Sequence, residues 1–169
     1  MNLQPLAERI AGSALSDYLQ QQLWIVPVSQ SIHIISVAIV FGSAIVINLR
    51  LLGVSSTGRS ISQLVQTLVP WMYRACAVLL LTGTLQTIIE PVRQFVTPQF
   101  WWKMLMIVVV LTMTVVFART VRRNAAAWDD PQTRPGAGKA FALLSLALWT
   151  GIVICGRLIG YTWAFYVAA

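Results

Sequence analysis

Residues 24–52 read WIVPVSQSIHIISVAIVFGSAIVINLRLL, an apolar run whose one full charge, Arg50, falls near its far end. About 20 helical residues at 1.5 Å each cross the ~30 Å hydrocarbon core of a bilayer, so this stretch is long enough to span one. Working outward, further runs of the same kind lie at about 71–90, 100–118 and 140–166. Composition agrees: 57% of residues are hydrophobic, only 10% are charged and mean hydropathy is +0.74. A water-soluble domain needs about 25% charged residues to clothe its surface. The expectation is an all-α integral membrane protein, a bundle of four transmembrane helices in a single domain over 1–169.

The segments between the runs carry their own signals. Residues 3–22 place Leu3, Leu6, Ala7, Ile10, Ala14 and Tyr18 at helical spacing, which predicts an N-terminal amphipathic helix lying in the membrane interface. Glu8 and Asp17, with no basic stretch leading into a short apolar core, argue against a cleaved signal. The second span is preceded by an amphipathic run, 61–69, that Pro70 should end or kink. Pro91 and Pro98 bracket a short loop, and 119–139 reads as a polar linker rich in turn residues.

The net charge of +7 and pI near 10.3 do not point to nucleic acid, because the basic residues sit in short loops beside apolar runs. Arg50, Arg59, Arg119, Arg122, Arg123, Arg134 and Lys139 share one side; Arg9, Arg93 and Lys103 share the other. The basic side should face the cytoplasm and anionic lipid, so both termini should be extracytoplasmic. Trp24, Trp101, Trp102 and Trp163 would anchor the outer interface and Trp71 the inner one. Cys76 and Cys155 lie within apolar runs without CxxC spacing and read as small buried hydrophobes.

Polar groups inside spans are costly, and each asks for a reason. His33, the sole histidine, sits nine residues past Trp24, roughly 13 Å below the outer belt. Ser29, His33, Ser36 and Ser43 fall near one face, a stripe that should look into the bundle. Thr82, Gln86 and Glu90 form an i, i+4 ladder toward the same side, where Lys103 opens the third span. Arg157, with Thr150 and Tyr161 on its face, lies roughly 9 Å below that belt. All four spans thus offer polar side chains to the outer half. Each also has a structural reading: a lone histidine can bond a neighbouring helix, Glu90 and Lys103 can pair or snorkel, and Arg50 and Arg74 can serve as anchors. Gly156 and Gly160 form a GxxxG that would mark close helix packing. No phosphate-binding loop, hydrolase triad or zinc-protease motif appears.

The string from Ile32-His33-Ile34 through Gly42 to Leu49-Arg50-Leu51-Leu52-Gly53 resembles a family of small bacterial four-span membrane proteins of unsettled function. Val69-Pro70-Trp71, Thr82-Gly83 and Phe100-Trp101-Trp102-Lys103 follow in that family's order. More distantly, the layout is similar to the bacterial membrane protoporphyrinogen oxidase family, where a first-span His and a later Lys matter and haem is implicated. His33 and Lys103 would hold those positions. It is also similar to the CopD-type copper-resistance membrane domain, which shares a His followed by Gly on an early span. The chain departs from both in having no second histidine, so two axial imidazoles cannot come from one protomer. No clustered methionines accompany His33 for copper.

The functional expectation is a redox or cofactor-binding protein of the bacterial inner membrane. Haem b or a quinone would sit in the outer half, with His33 as axial ligand or hydrogen-bond partner. Lys103, Arg157, Glu90, Gln86 and Tyr161 are the other candidate site residues. An electron partner would be a membrane or periplasmic redox protein, and a homo-oligomer is compatible with the sequence. The alternatives are a non-catalytic subunit or scaffold with no cofactor, and a copper or small-solute permease.

Overall fold

The computed structural model describes residues 3–54, 58–130 and 135–168, with side chains described through Tyr161. The proposed anchor Trp163, Arg134 of the linker and the end of the fourth span near 166 are outside the described side chains. The described residues form eight helices and no strand: α1 (Gln4–Ala11), α2 (Ala14–Gln21), α3 (Ile25–Leu52), α4 (Ile61–Ile89), α5 (Pro91–Val96), α6 (Pro98–Arg123), α7 (Ala125–Asp129) and α8 (Ala137–Ala168). Helices α3, α4, α6 and α8 are long and apolar enough to cross a membrane. The protein is a multi-pass membrane protein by that measure.

Local chemistry sets the helix ends. Gly53 closes α3 with a positive φ of 79°, and the amides of Gly53 and Val54 bond back to the carbonyls of Arg50 and Leu49. That left-handed closure suits glycine, which has no Cβ to clash. Ser60 and Gln63 form a reciprocal capping box at the start of α4. Pro91 and Pro98 open α5 and α6, where a missing N–H costs nothing.

Pro70 does not end a helix: α4 runs unbroken from Ile61 to Ile89, so the second span and the amphipathic run before it are one element. Of the two expectations at Pro70, an end or a kink, the end is corrected. A membrane helix tolerates an internal proline where neighbouring groups or water near the interface serve the freed carbonyl. The third span is also longer than expected, reaching Arg123.

The four long helices surround a core in which α3 packs against α4 and α8, and α6 packs mainly against α8. Val40, Ala44, Ile47 and Leu51 of α3 meet Leu64, Val65, Val69 and Met72 of α4, with Val110, Phe117 and Val121 of α6 and Trp149 of α8. The core is concentrated toward the basic end of the bundle, where α3 finishes.

The described parts of 119–139 are largely helical rather than a plain linker: α6 runs on to Arg123, α7 follows, and α8 starts at Ala137. Its helix α7 buries Trp128, whose ring meets Phe117 edge to face at 5.3 Å between centroids, and Phe117 stacks on Phe141 at 4.4 Å. Gly138 makes room: a Cβ there would lie 3.1 Å from Trp128 Cζ3. Asp129 then clamps the first turn of α4, accepting from the Ser62 amide at 2.9 Å and the Ser62 hydroxyl at 2.5 Å. A carboxylate at a helix N-terminus is favoured by the unpaired amides and their dipoles.

The N-terminal segment is two helices rather than one over 3–22, broken at Gly12-Ser13, where the Ser13 side chain caps α2. Its buried side differs from the apolar face read in the sequence: Ala7, Ser16 and Leu19 are buried, whereas Leu6 and Tyr18 are exposed. Ser16 Oγ donates to the Ile88 carbonyl and Gln20 Nε2 to the Ile89 carbonyl, both at 2.9 Å. These bonds cap the last turn of α4, so the segment docks on the bundle through polar contacts.

The Asp129 clamp has a pH signature. Burial favours the neutral carboxyl, but bonds from the Ser62 hydroxyl and amide, with further help from Ser60 and the Ile61 amide, outweigh it and lower the pKa. A folded-state pKa below the unfolded value of about 3.9 adds stability that is complete above pH 4 and is lost as pH falls through the folded value. Asp129→Ala should lower stability by about 1–2 kcal/mol at pH 7, allowing for partial exposure. Thermal unfolding in detergent should show that difference shrinking below about pH 4. An unchanged difference at low pH would remove the carboxylate's charge from the account.

Candidate functional site

The site is built around His33, half-buried on α3. The neighbouring stripe turns inward as its spacing required: Ser29, Ser36 and Ser43 are all buried. His33 Nδ1 lies 2.7 Å from Oγ1 of Thr82 on α4. The Thr82 hydroxyl has one proton and donates it to the Val78 carbonyl at 2.9 Å. It therefore receives the His33 bond, which places the imidazole proton on Nδ1 and leaves the Nε2 lone pair for another partner. This is the tautomer seen when a second-shell group orients a ligating histidine. Gly83 completes the seat: a Cβ there would lie 3.6 Å from His33 Cε1, so the α4 backbone comes up against the ring edge.

Lys103 comes from α6, directly after Trp101 and Trp102 near the start of that helix. Its ammonium lies within electrostatic reach of His33 and of Cys155 on α8. Gly156 faces its tip, where a Cβ would be 3.8 Å from Nζ. Among the described residues Lys103 has no hydrogen-bonded or ion-paired partner. Four helices thus meet here: α3 supplies His33, α4 Thr82, α6 Lys103 and α8 Cys155 with Gly156. Cys155 and Cys76 are free and half-buried.

Gln86 and Glu90 stand farther out on α4, one and two turns beyond Thr82, at about 6 Å per step. They line a separate, small cleft with Val26, Gln30, Ile89 and Arg93. Glu90 pairs with Arg93, and the Gln86 amide nitrogen is buried without a partner. His33 does not line this cleft, and no described contact joins Gln86 or Glu90 to it.

Arg157 and Tyr161 form an outward pair. Arg157 is exposed, donates to the Tyr161 hydroxyl at 3.0 Å and lies over its ring at 5.0 Å. No described contact joins either residue to His33 or Lys103. The GxxxG expectation also needs correction: a Cβ on Gly160 would meet nothing within 4 Å, and a Cβ on Gly151 would lie 3.0 Å from Met106 Sδ. Close packing of α6 on α8 is made at Gly151 and Gly156. Cys155, Gly156 and Thr82 were not among the residues singled out for binding, although Thr82 belonged to the ladder that pointed here.

The arrangement offers one oriented imidazole nitrogen and one unpaired ammonium in an apolar setting. Among the described residues no three His, Cys, Asp or Glu side chains gather as a metal site. A metal held here would take a single protein ligand from His33 and the remainder from its own cofactor.

The chain belongs to a family of unknown function, DUF6644, whose profile matches residues 20–162. The match takes in all four spans, His33 and Lys103, and leaves α1 and most of α2 outside. No curated protein and no solved structure matches the chain. Nothing in these comparisons links it to the protoporphyrinogen oxidase or CopD groups.

Because His33 is the only histidine, nitrogen NMR reads its tautomer without ambiguity. The ligand-free protein should show a protonated Nδ1 and an unprotonated Nε2. Thr82→Val should scramble that preference, and Thr82→Ser should keep it. A wild-type ring protonated on Nε2 would overturn the orientation argued from Thr82.

Proposed function

We propose that this protein binds a flat redox cofactor, a b-type haem or a quinone, in the half of the bundle away from the basic end. The observation that carries the reading is the pairing of an oriented His33 with a Lys103 ammonium that has no partner. An intramembrane cation is expensive, and a ligand oxygen is the counterpart it lacks.

Both groups fit the residues present. A haem asks for one axial nitrogen, which His33 Nε2 offers, and has propionates that Lys103 can neutralise. A reduced quinone (quinol) would donate one O–H to the His33 Nε2 lone pair and accept from Lys103 at an oxygen. When bound, such a group supplies the electron transfer. The protein's own residues do three things: Thr82 fixes the imidazole, Lys103 holds negative charge at the ligand's edge, and the apolar spans exclude water. The electron partner would be another membrane or periplasmic protein.

The proposal places the bundle in a bacterial inner membrane with the His33 half toward the extracytoplasmic side, on the strength of the basic loops at the opposite end. A cysteine at exposed Asp130 should resist an impermeant maleimide in intact cells, and one at Gln21 should react. The reverse pattern would invert the protein.

A second reading has its own support. The His33–Thr82 bond joins α3 to α4, and such bonds can simply hold membrane helices together. In that case the chain is a non-catalytic subunit whose polar residues fix packing. The two readings part on one variant. Protein purified from haem- and quinone-replete cells should carry a Soret band or extractable quinone. His33→Ala should lower that content at least tenfold while the protein stays helical and membrane-inserted. Wild-type protein free of both, or a His33→Ala variant with unchanged content, would favour the subunit reading.

A further inference from the structure

A second polar layer lies in the core nearer the basic end, apart from His33 and Lys103. Asn48 of α3 is 1% exposed and donates its amide N–H to Ser145 Oγ of α8 at 3.0 Å. Its carbonyl oxygen has no partner. One turn farther along α8, Trp149 is 6% exposed and its indole N–H also has no partner. Both residues line one small cavity between α3, α4, α6 and α8, and Thr114 of α6 lines it too. The Thr114 hydroxyl spends its proton on the Val110 carbonyl at 2.7 Å, so toward the cavity it offers only lone pairs.

Ser145 lines the space as well, and its hydroxyl proton has no described acceptor. The layer therefore presents two donors, the Trp149 indole and the Ser145 hydroxyl, and two acceptors to a space between helices. Native proteins rarely leave such groups unpaired when buried. No ionisable side chain lines the space. A cation would face the indole N–H, and an anion would face the Asn48 carbonyl and the Thr114 oxygen. The matching ligand is neutral, donates two hydrogen bonds, accepts one or two, and is very small. Buried waters typically make about three such bonds.

We infer that Asn48, Thr114 and Trp149 bind a single structural water. It accepts from Trp149 Nε1 and donates to Asn48 Oδ1 and Thr114 Oγ1. This water links α3 to α6, which stand across the bundle from each other, and ties both to α8. The site is independent of the cofactor reading.

The test uses the full chain, labelled with ¹⁵N on its tryptophan indoles, in lipid nanodiscs. Trp149→Phe assigns the Trp149 indole signal. That signal should show cross-relaxation with a long-lived water in the wild type. Asn48→Leu, which removes one acceptor and fills the space, should reduce it at least fivefold. Absence of water contact at the wild-type indole, or a signal that Asn48→Leu leaves unchanged, would overturn the inference. Should Asn48→Leu fail to fold, an experimental structure fine enough to show ordered water decides. Density within hydrogen-bond reach of all three atoms supports the site, and an indole bonded directly to a protein oxygen refutes it.

Discussion

Hydrocarbon offers no hydrogen bonds, so every polar group carried into the bilayer must find a partner within the protein. That constraint organises most of this bundle. The hydroxyls of Ser31, Ser36, Thr87, Thr112 and Thr120 turn back onto carbonyls of their own helices, four residues earlier. Bonds between elements are fewer: His33 to Thr82, Asn48 to Ser145, Ser16 and Gln20 to the end of α4, and Asp129 to its beginning. Between these points the helices are held by packing, with glycine at the tightest approaches, as where Gly151 meets Met106 and Gly138 meets Trp128. Buried atoms of Ser29, Gln86, Asn48 and Trp149 also lack partners, but Lys103 is the charged group outside the rule, which is why the functional proposal rests on it.

Depth was legible in the sequence because an apolar run and a fixed rise per residue measure it. The four spans follow from that counting, and the serine stripe is the one case in which spacing also gave the buried face. Elsewhere azimuth was not legible, because it depends on which neighbours a helix finds. Arg157 lies at a depth comparable with Lys103, yet Gly156 turns toward Lys103 while Arg157, one residue on, is exposed with Tyr161. Gly160 likewise belongs to a recognisable pair but meets no neighbour. A motif states a spacing, and only the packing decides which way it faces.

The remaining misreadings concern segments where tertiary contacts override local character. The polar setting of 119–139 hid Trp128 and Asp129, whose roles exist only because Phe117, Gly138 and the start of α4 converge there. Pro70 was taken at its value for water-soluble helices, whereas a membrane helix continues through it. The N-terminal segment has helical periodicity throughout, but Gly12-Ser13 breaks it, and its serine and glutamine make the hydrogen bonds to the end of α4.

The central claim is that Lys103 is kept for a ligand and not for the stability of the bundle. Thermal unfolding of ligand-free Lys103→Met in detergent or nanodiscs tests it most directly. An unpartnered ammonium costs roughly 2.5 kcal/mol or more at membrane depth, and methionine is close to its shape without the charge. The account predicts a variant at least as stable as wild type, with Tm raised by a few degrees. A Tm several degrees below wild type would show that the ammonium already has a structural partner, and would contradict the claim.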